Sequence, residues 1–338
     1  MSAPLLSIAE LKALVRETLM PARIHAQAVE IQRRESSNGK PFYELRLRDA
    51  DSSLLLRAWN DTLAFGACER LELAAPVEVA GEFVVNGSFG LEARRWELRV
   101  LDDAEAHALF ENGNERADEI LGRIRAIIAT LADPRLSALC EEFLREFGVR
   151  FARAAAARAN HHARRGGLAG HTLRMMEAAQ SLCAAYPELN RDLLLAGTFL
   201  HDCGKLWETC PPERGFDIPR DLRGELLGHI TIGIEVVNAL WRNLPLDDWK
   251  GATPPSETVR LHLLHLIAAH HGALEYGSPV LPKTPEAFAL HAMDNLDARI
   301  EMFQDAQQQP EVATGILTWS RPLNVHPAAP LPVFDTAP

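Results

Sequence analysis

The chain has 338 residues, of which 47% are hydrophobic and 24% charged, with a formal net charge of −11. That length suggests two domains, and the acidic balance argues against a generic nucleic-acid coat protein, which would carry a basic footprint. No apolar stretch approaches bilayer-spanning length, Glu10 and Lys12 stand where a secretory signal would be apolar, and the 5 cysteines lack any CxxC spacing, so the expectation is a cytoplasmic protein with reduced thiols and no membrane partner.

Ser7 and Glu10 are spaced as a capping box that opens a short amphipathic helix over 8–19. Alternation over 24–34, the hairpin signal Ser36-Ser37-Asn38-Gly39-Lys40 and strand patterns over 42–48 and 54–59 predict a three-strand meander. Asn60-Asp61 can cap a brief helix through Cys68, and strands over 77–85 and 91–101 flank a turn at 86–90. Three strands, a helix and two strands is the order of an OB-fold β-barrel. Such barrels hold single-stranded nucleic acid by stacking bases on aromatics and following the backbone with Arg or Lys. The candidates are Arg33, Arg34, Lys40, Phe42, Arg46, Arg57 and Trp59, with Tyr43, Phe83, Phe89 and Trp96 as further aromatics. Strand alternation sends half of such aromatics into a core, and the sequence alone does not sort them.

From Ala104 onward the pattern is helical, with segments over 115–131, from Asp133-Pro134, and over 168–184, 191–201, 222–240 and 257–270. The expected organisation is therefore a barrel domain over 1–103, an all-α catalytic domain over 104–325 and a flexible Pro- and Ala-rich tail over 326–338. There is no internal repeat.

Of the 13 histidines, 10 lie between His161 and His291. The ordered set His171, His201-Asp202, His229, His270-His271 and Asp294 reads as a metal cage, because imidazole nitrogen and carboxylate oxygen together suit a first-row divalent ion. Any one of these histidines could fill a helix face instead. Clustering on apolar helices favours a shared site. Adjacent helical residues diverge by about 100°, so His270 and His271 reach one ion together only if the helix ends there, which Gly272 allows. Lys205 follows Asp202 by three residues, so on a helix it could meet a phosphate beside the metals, with Gly204 leaving room for close substrate approach. Cys203 reads as a buried spacer. From Phe147 to Met176 there is no acidic residue, and Arg164 and Arg165, beside glycines, suit a phosphate; Arg150 and Arg153 read equally well as a solvated face. His262, His265 and His291 read as packing or supporting histidines, and Asp297 as a supporting or surface acid.

His171, His201-Asp202 and Asp294 together resemble the HD-domain metallophosphohydrolase superfamily. The string His161-His162-Ala163-Arg164-Arg165-Gly166-Gly167-Leu168-Ala169-Gly170-His171-Thr172 is similar to the HHxxxGGLxxHT segment of the YhaM-type 3′-to-5′ exoribonucleases. So are His270-His271-Gly272 with Glu275-Tyr276-Gly277-Ser278-Pro279, and Asp294-Asn295-Leu296-Asp297-Ala298. Gly39-Lys40-Pro41-Phe42 and Arg48-Asp49 through Trp59 extend the resemblance to nearly the whole chain except its last residues. It implies an N-terminal OB-fold followed by an all-α HD domain that hydrolyses single-stranded RNA from the 3′ end to nucleoside 5′-monophosphates, with DNA as a further substrate left open. It also implies one or two divalent ions, Mn²⁺ ahead of Mg²⁺, Fe²⁺, Co²⁺ or Ni²⁺. By position, His171, His201, Asp202 and Asp294 would form the primary metal site, with His229, His270 and His271 available to a second ion and Asp202 bridging. Asp202 and Lys205 would be catalytic, and His161, His162, Arg164, Arg165 and Lys205 would meet substrate phosphate. Homo-oligomer formation stays open.

Two other readings compete. An HD nucleotidase or triphosphohydrolase acting on free nucleotides would have the same cage but no need of a barrel. A nucleic-acid-binding adaptor with a structural HD domain would hold no metal. A cyclic-dinucleotide phosphodiesterase fits less well, because the HD-GYP extension is absent after His270-His271.

Overall fold

Glu10 N donates to Ser7 Oγ and Ser7 N donates to Glu10 Oε2, closing the expected capping box of helix α1 (Ile8–Leu14). In the computed structural model, which describes residues 3–50, 52–86, 90–111, 114–157, 165–307 and 311–331, α1 stops at Leu14 rather than 19. Val15 is extended (φ −69, ψ 136) and fully buried, and a helix continued through it would pull that side chain off the core.

The strands are β1 (Leu5–Leu6), β2 (Met20–Glu35), β3 (Pro41–Arg48), β4 (Ser53–Trp59), β5 (Pro76–Asn86) and β6 (Gly90–Val100), with helix α2 (Leu63–Arg70) between β4 and β5. They form one sheet in the order β4-β3-β2-β5-β6, antiparallel except that β1 pairs parallel with β2. The long strand β2 serves two partners. Its first half pairs with β5, from Met20 opposite Phe83 to Gln27 opposite Pro76, and its second half pairs with β3, from Gln27 opposite Arg48 to Glu35 opposite Pro41. Alternate residues of β3 and β4 (Leu45 and Leu47, Leu54 and Leu56) join Ile24, Val79 and Phe83 in one core.

The order of strands and helix along the chain is the expected one, but the described residues do not show the sheet closed into the expected OB-fold barrel. β4 and β6 remain edges and exchange no ladder hydrogen bonds among the described residues. β6 shifts register opposite Ala80 and Glu82 and holds Arg95 at φ 47, and such irregularities interrupt a ladder. Helix α2 starts after Thr62, not at Asn60 or Asp61, and Thr62 Oγ1 donates to the Trp59 carbonyl instead of capping.

Helices α3 (Asp103–Glu111), α4 (Asn114–Ile128), α5 (Pro134–Arg153), α6 (Gly167–Ala185), α7 (Arg191–Leu200), α8 (Leu222–Arg242), α9 (Ser256–Ala269) and α10 (Pro285–Ala306) make up the rest, apart from short 3-10 turns. Caps set several starts: Asp133 accepts from Arg135 N and Leu136 N, Asn190 from Leu193 N, Asp221 from Arg223 N and Gly224 N, and Thr284 from Ala287 N. Their shared core centres on the fully buried Phe143, whose ring lies 5.4 Å from Phe147, 5.9 Å from Phe151 and 5.4 Å from Phe199. α10 is not among the expected segments. Phe288, Leu296 and Ile300 are exposed on it, so apolar residues lie on both faces and blur the helical period.

After α10 the chain turns to a short hairpin, β7 (Glu311–Ala313) and β8 (Ile316–Leu317), where helix was expected. The beginning of the expected flexible tail is tied to it: Leu317 N donates to the Pro327 carbonyl at 2.8 Å and Ala329 N to the Gly315 carbonyl at 3.0 Å. Residues 332–338 lie outside the described ones. No helix among the described residues is long and apolar enough to cross a membrane.

Sheet and helices meet at the loop before α8. Phe216 N donates to Gln27 Oε1 at 2.7 Å, Arg48 donates to the Phe216 carbonyl at 3.3 Å, and the Phe216 ring packs 5.3 Å from Phe110.

Replacing Phe143 with Ala is expected to destabilise the helical core by about 3–5 kcal/mol, read as a lower midpoint in urea unfolding followed by far-UV circular dichroism. A loss under about 1 kcal/mol would contradict this packing.

Candidate metal centre

Four helices or their ends deliver five imidazoles to one place, and in each case the Nδ1 atom is fixed by a neighbour. His201 follows the last turn of α7 and its Nδ1 donates to the Thr198 carbonyl at 2.7 Å; His270 ends α9 and its Nδ1 donates to the Ile267 carbonyl at 2.7 Å. Both use a helix-terminal carbonyl that has no partner within the helix. His171, in the first turns of α6, donates from Nδ1 to Asp297 on α10 at 2.7 Å. His229 donates from Nδ1 to Glu208 at 3.1 Å, and His271 from Nδ1 to the Tyr276 carbonyl at 2.7 Å. With Nδ1 committed, the Nε2 atom of each ring is left for the centre.

Asp202 stands between them. Its Oδ2 lies 3.3 Å from His201 Nε2 and 3.9 Å from His171 Nε2, while its Oδ1 lies 3.6 Å from His229 Nε2 and 3.5 Å from His270 Nε2. Asp294 Oδ1 closes the first group, 3.3 Å from His171 Nε2 and 4.0 Å from His201 Nε2. Two sets of donor atoms lie within 4.8 Å of one another, His171 with His201 and Asp294, and His229 with His270 and His271. Asp202 Oδ1, His229 Nε2 and His270 Nε2 are buried without a hydrogen-bond partner. Orphaned buried polar atoms cost about 1–3 kcal/mol each, and three that converge on one point fit a divalent cation.

The local backbone explains the convergence. Asp202 precedes a 3-10 turn, Cys203–Trp207, in which residues three apart eclipse, and Lys205 Nζ lies 2.6 Å from Asp202 Oδ2. A Cβ on Gly204 would lie 1.9 Å from the His229 carbonyl oxygen. Gly204 therefore permits contact between this turn and α8, rather than opening room for substrate as its position suggested. α8 itself is interrupted at Gly228 (φ 70, ψ 155), which frees His229 N to donate to Glu208 Oε1 at 2.6 Å. α9 ends at His270, as the His270-His271 pair required.

Charge is divided unevenly. Burial disfavours the Asp202 anion, but Lys205 and His201 outweigh it and hold the carboxyl well below the usual range. Burial lowers Lys205, and Asp202 more than restores it, so the ammonium is firmly protonated. Burial also lowers His171, yet hydrogen bonds to Asp294 and Asp297 push it up to about 9. Burial draws His270 and His271 down, leaving neutral rings.

Residues 168–299 match the HD domain family. The match contains His171, His201, Asp202, His229, His270, His271 and Asp294, and it implies a metal-dependent phosphohydrolase; HD domains bind divalent metals. The sheet lies outside it.

Other expected contacts fall elsewhere. His161, His162 and Arg164 lie outside the described residues. Arg165 donates to the carbonyls of Pro212, Gly215 and Glu213, each at 3.0 Å, and so braces the loop that meets the sheet. On the sheet, Arg34 and Arg57 pair with Glu44, and Arg46 pairs with Glu30. Phe42 is buried, 4.7 Å from the Trp59 ring. Phe83 and Trp96 are core and Phe89 lies outside the described residues. Trp59, Arg33 and Lys40 stay exposed. His291 Nδ1 donates to the His270 carbonyl at 3.0 Å and His265 Nε2 accepts from Lys283 N at 2.9 Å, both supporting contacts. Glu208 went unread in the sequence, because nothing in its spacing marks a residue that meets His229 only through a turn and a kinked helix.

The HD domain should bind ions with a pH dependence that differs between its two donor groups. A proton on His171 stabilises the metal-free fold fully below the ordinary histidine pKa of about 6.5 and ceases to do so as pH rises through about 9. An ion at the His171 group must displace that proton, so its affinity should rise between pH 6.5 and 9 with proton release, whereas neutral His270 and His271 need release none. Titration calorimetry in buffers of different ionisation enthalpy reads both; binding at the His171 group without proton release would contradict the assignment. Glu208→Gln should weaken the His229 group by about 10–100-fold and spare the other.

Proposed function

We propose that this chain is a metal-dependent 3′-to-5′ exonuclease that shortens single-stranded RNA, releasing nucleoside 5′-monophosphates. The observation that carries the hydrolytic part is the buried Asp202 carboxylate, shared between two histidine groups with a protonated Lys205 against it. Divalent ions bound there, with Mn²⁺ the favoured species, would supply an activated water at neutral pH and offset charge on phosphoryl oxygens. The chain's own residues do the positioning. Asp202 presents one oxygen to each group, and Asp294 completes the first. Asp297 and Glu208 keep His171 and His229 turned inward. Lys205 has three ammonium hydrogens and gives one to Asp202, so the others can meet a phosphoryl oxygen as charge develops.

Action on a polymer is supported by the sheet, whose strand order is that of an OB-fold, and by the exposed Trp59, Arg33 and Lys40 on its surface. The 3′-to-5′ polarity rests on the resemblance of His161 to Thr172 and of His270 to Ala298 to the YhaM-type exoribonucleases. Stacking on an aromatic demands an unpaired base, and unpairing costs a few kcal/mol, roughly, per step.

Purified protein with Mn²⁺ should convert a 5′-labelled single strand into a ladder of shorter products, leave a blunt duplex largely intact and slow on a 3′-phosphate. Asp202→Ala should abolish the ladder while circular dichroism stays native. Cuts within a circular strand at the linear rate would replace the exonuclease with an endonuclease, and turnover of free nucleotides in preference to polymer would favour a nucleotidase.

A further inference from the structure

His271 is tied to an unusual loop. Immediately after it, residues 272–278 fold back on themselves through Tyr276 N to the Ala273 carbonyl at 3.1 Å, Gly277 N to the Leu274 carbonyl at 3.0 Å and Ser278 N to the Ala273 carbonyl at 3.2 Å. The buried Ser278 hydroxyl lies 2.7 Å from the Val280 carbonyl and 3.1 Å from that of Ala268, clamping the loop to the end of α9. All this order ends in two exposed apolar side chains, Leu274 at 62% and Tyr276 at 60% of full exposure. Hydrogen bonds that fix a backbone while leaving an aromatic ring in water make sense when the ring is meant to be covered by something else.

Its location says by what. The Tyr276 carbonyl is 2.7 Å from His271 Nδ1, so the backbone of this loop borders the donor group of His229, His270 and His271. The loop offers no cation and carries the exposed Glu275, which repels phosphate. The other aromatic beside the site, Trp207, already has Arg150 and Arg223 guanidinium groups 5.0 and 4.5 Å from its ring. Tyr276 is uncovered, and its backbone is held at the His271 side of the centre.

We infer that Tyr276, with Leu274 beside it, is the stacking platform for the unpaired base of the nucleotide being removed, an inference that rests on the nucleic-acid reading proposed above. A stacked base fixes the sugar that follows it, which positions the scissile phosphate without sequence preference, since every base has a π-face.

The test uses the full chain with Mn²⁺ and two 5′-labelled strands that differ only in whether the 3′-terminal nucleotide has a base or is abasic. Tyr276→Ala should lower kcat/KM on the intact strand about tenfold and leave the abasic strand unchanged, while Tyr276→Phe retains wild-type values. Equal losses on both strands would mean that the residue only supports His271 and would overturn the inference, as would no loss on either. A strand ending in 2-aminopurine reads the contact without turnover. Its emission should be quenched by wild type and by Tyr276→Phe but not by Tyr276→Ala, with metal content equal in all three. If wild type shortens no strand yet shows that quenching pattern, the exonuclease reading falls and the stacking site stands. Quenching unchanged in Tyr276→Ala, or none by wild type, overturns the site itself.

Discussion

The arrangement depends on one buried anion. Asp202 is 2% exposed, and a carboxylate removed from water to that degree is tolerated only where cations and donors surround it. Lys205 supplies the covalently attached cation on one oxygen. The other oxygen faces His229 and His270, each with an unpartnered Nε2. A centre of this kind leaves room for a divalent ion as its natural counter-charge, and the surrounding fold is arranged to keep the imidazoles aimed at it.

That aim is achieved almost entirely through Nδ1. Two rings use carbonyls at helix ends, one uses the Tyr276 carbonyl of the loop after α9, and two use the carboxylates of Asp297 and Glu208. The rotamers are thus set by hydrogen bonds before any ion arrives, which lowers the ordering cost of binding. Arg174 extends the scheme outward, with its Nε 3.1 Å from the second oxygen of Asp297, so His171 is held by a chain of contacts that reaches the surface.

The same loop geometry connects the centre to the sheet. From Glu208 the chain passes Pro211, whose carbonyl accepts from Arg153, then the carbonyls held by Arg165, and arrives at Phe216 against Gln27. Arg153 and Arg165 thus brace this path through its backbone carbonyls. On the sheet, too, acidic neighbours neutralise Arg34, Arg46 and Arg57, as a chain of net charge −11 makes common. Trp59, Arg33 and Lys40 remain exposed on this sheet.

Local pattern carried much of this. Period-two alternation and turn residues placed the three strands of the meander and the two that follow, and cap residues such as Ser7 and Asp133 marked true helix starts. His171, His201, Asp202, His229, His270, His271 and Asp294 were legible as one set because few residue types bind metals and the histidines cluster. Tertiary contact decided the rest, since it is set by which backbone meets which. It left the sheet open at β4 and β6, hid α10 behind a two-sided apolar pattern, and gave Gly204 its role against α8. It recruited Glu208 to His229 across 21 residues and set Arg165 against three carbonyls. Residue type and spacing determine what a side chain is able to bind; only the folded chain determines which partner is within reach, because a hydrogen bond is lost when its two groups stand an ångström too far apart.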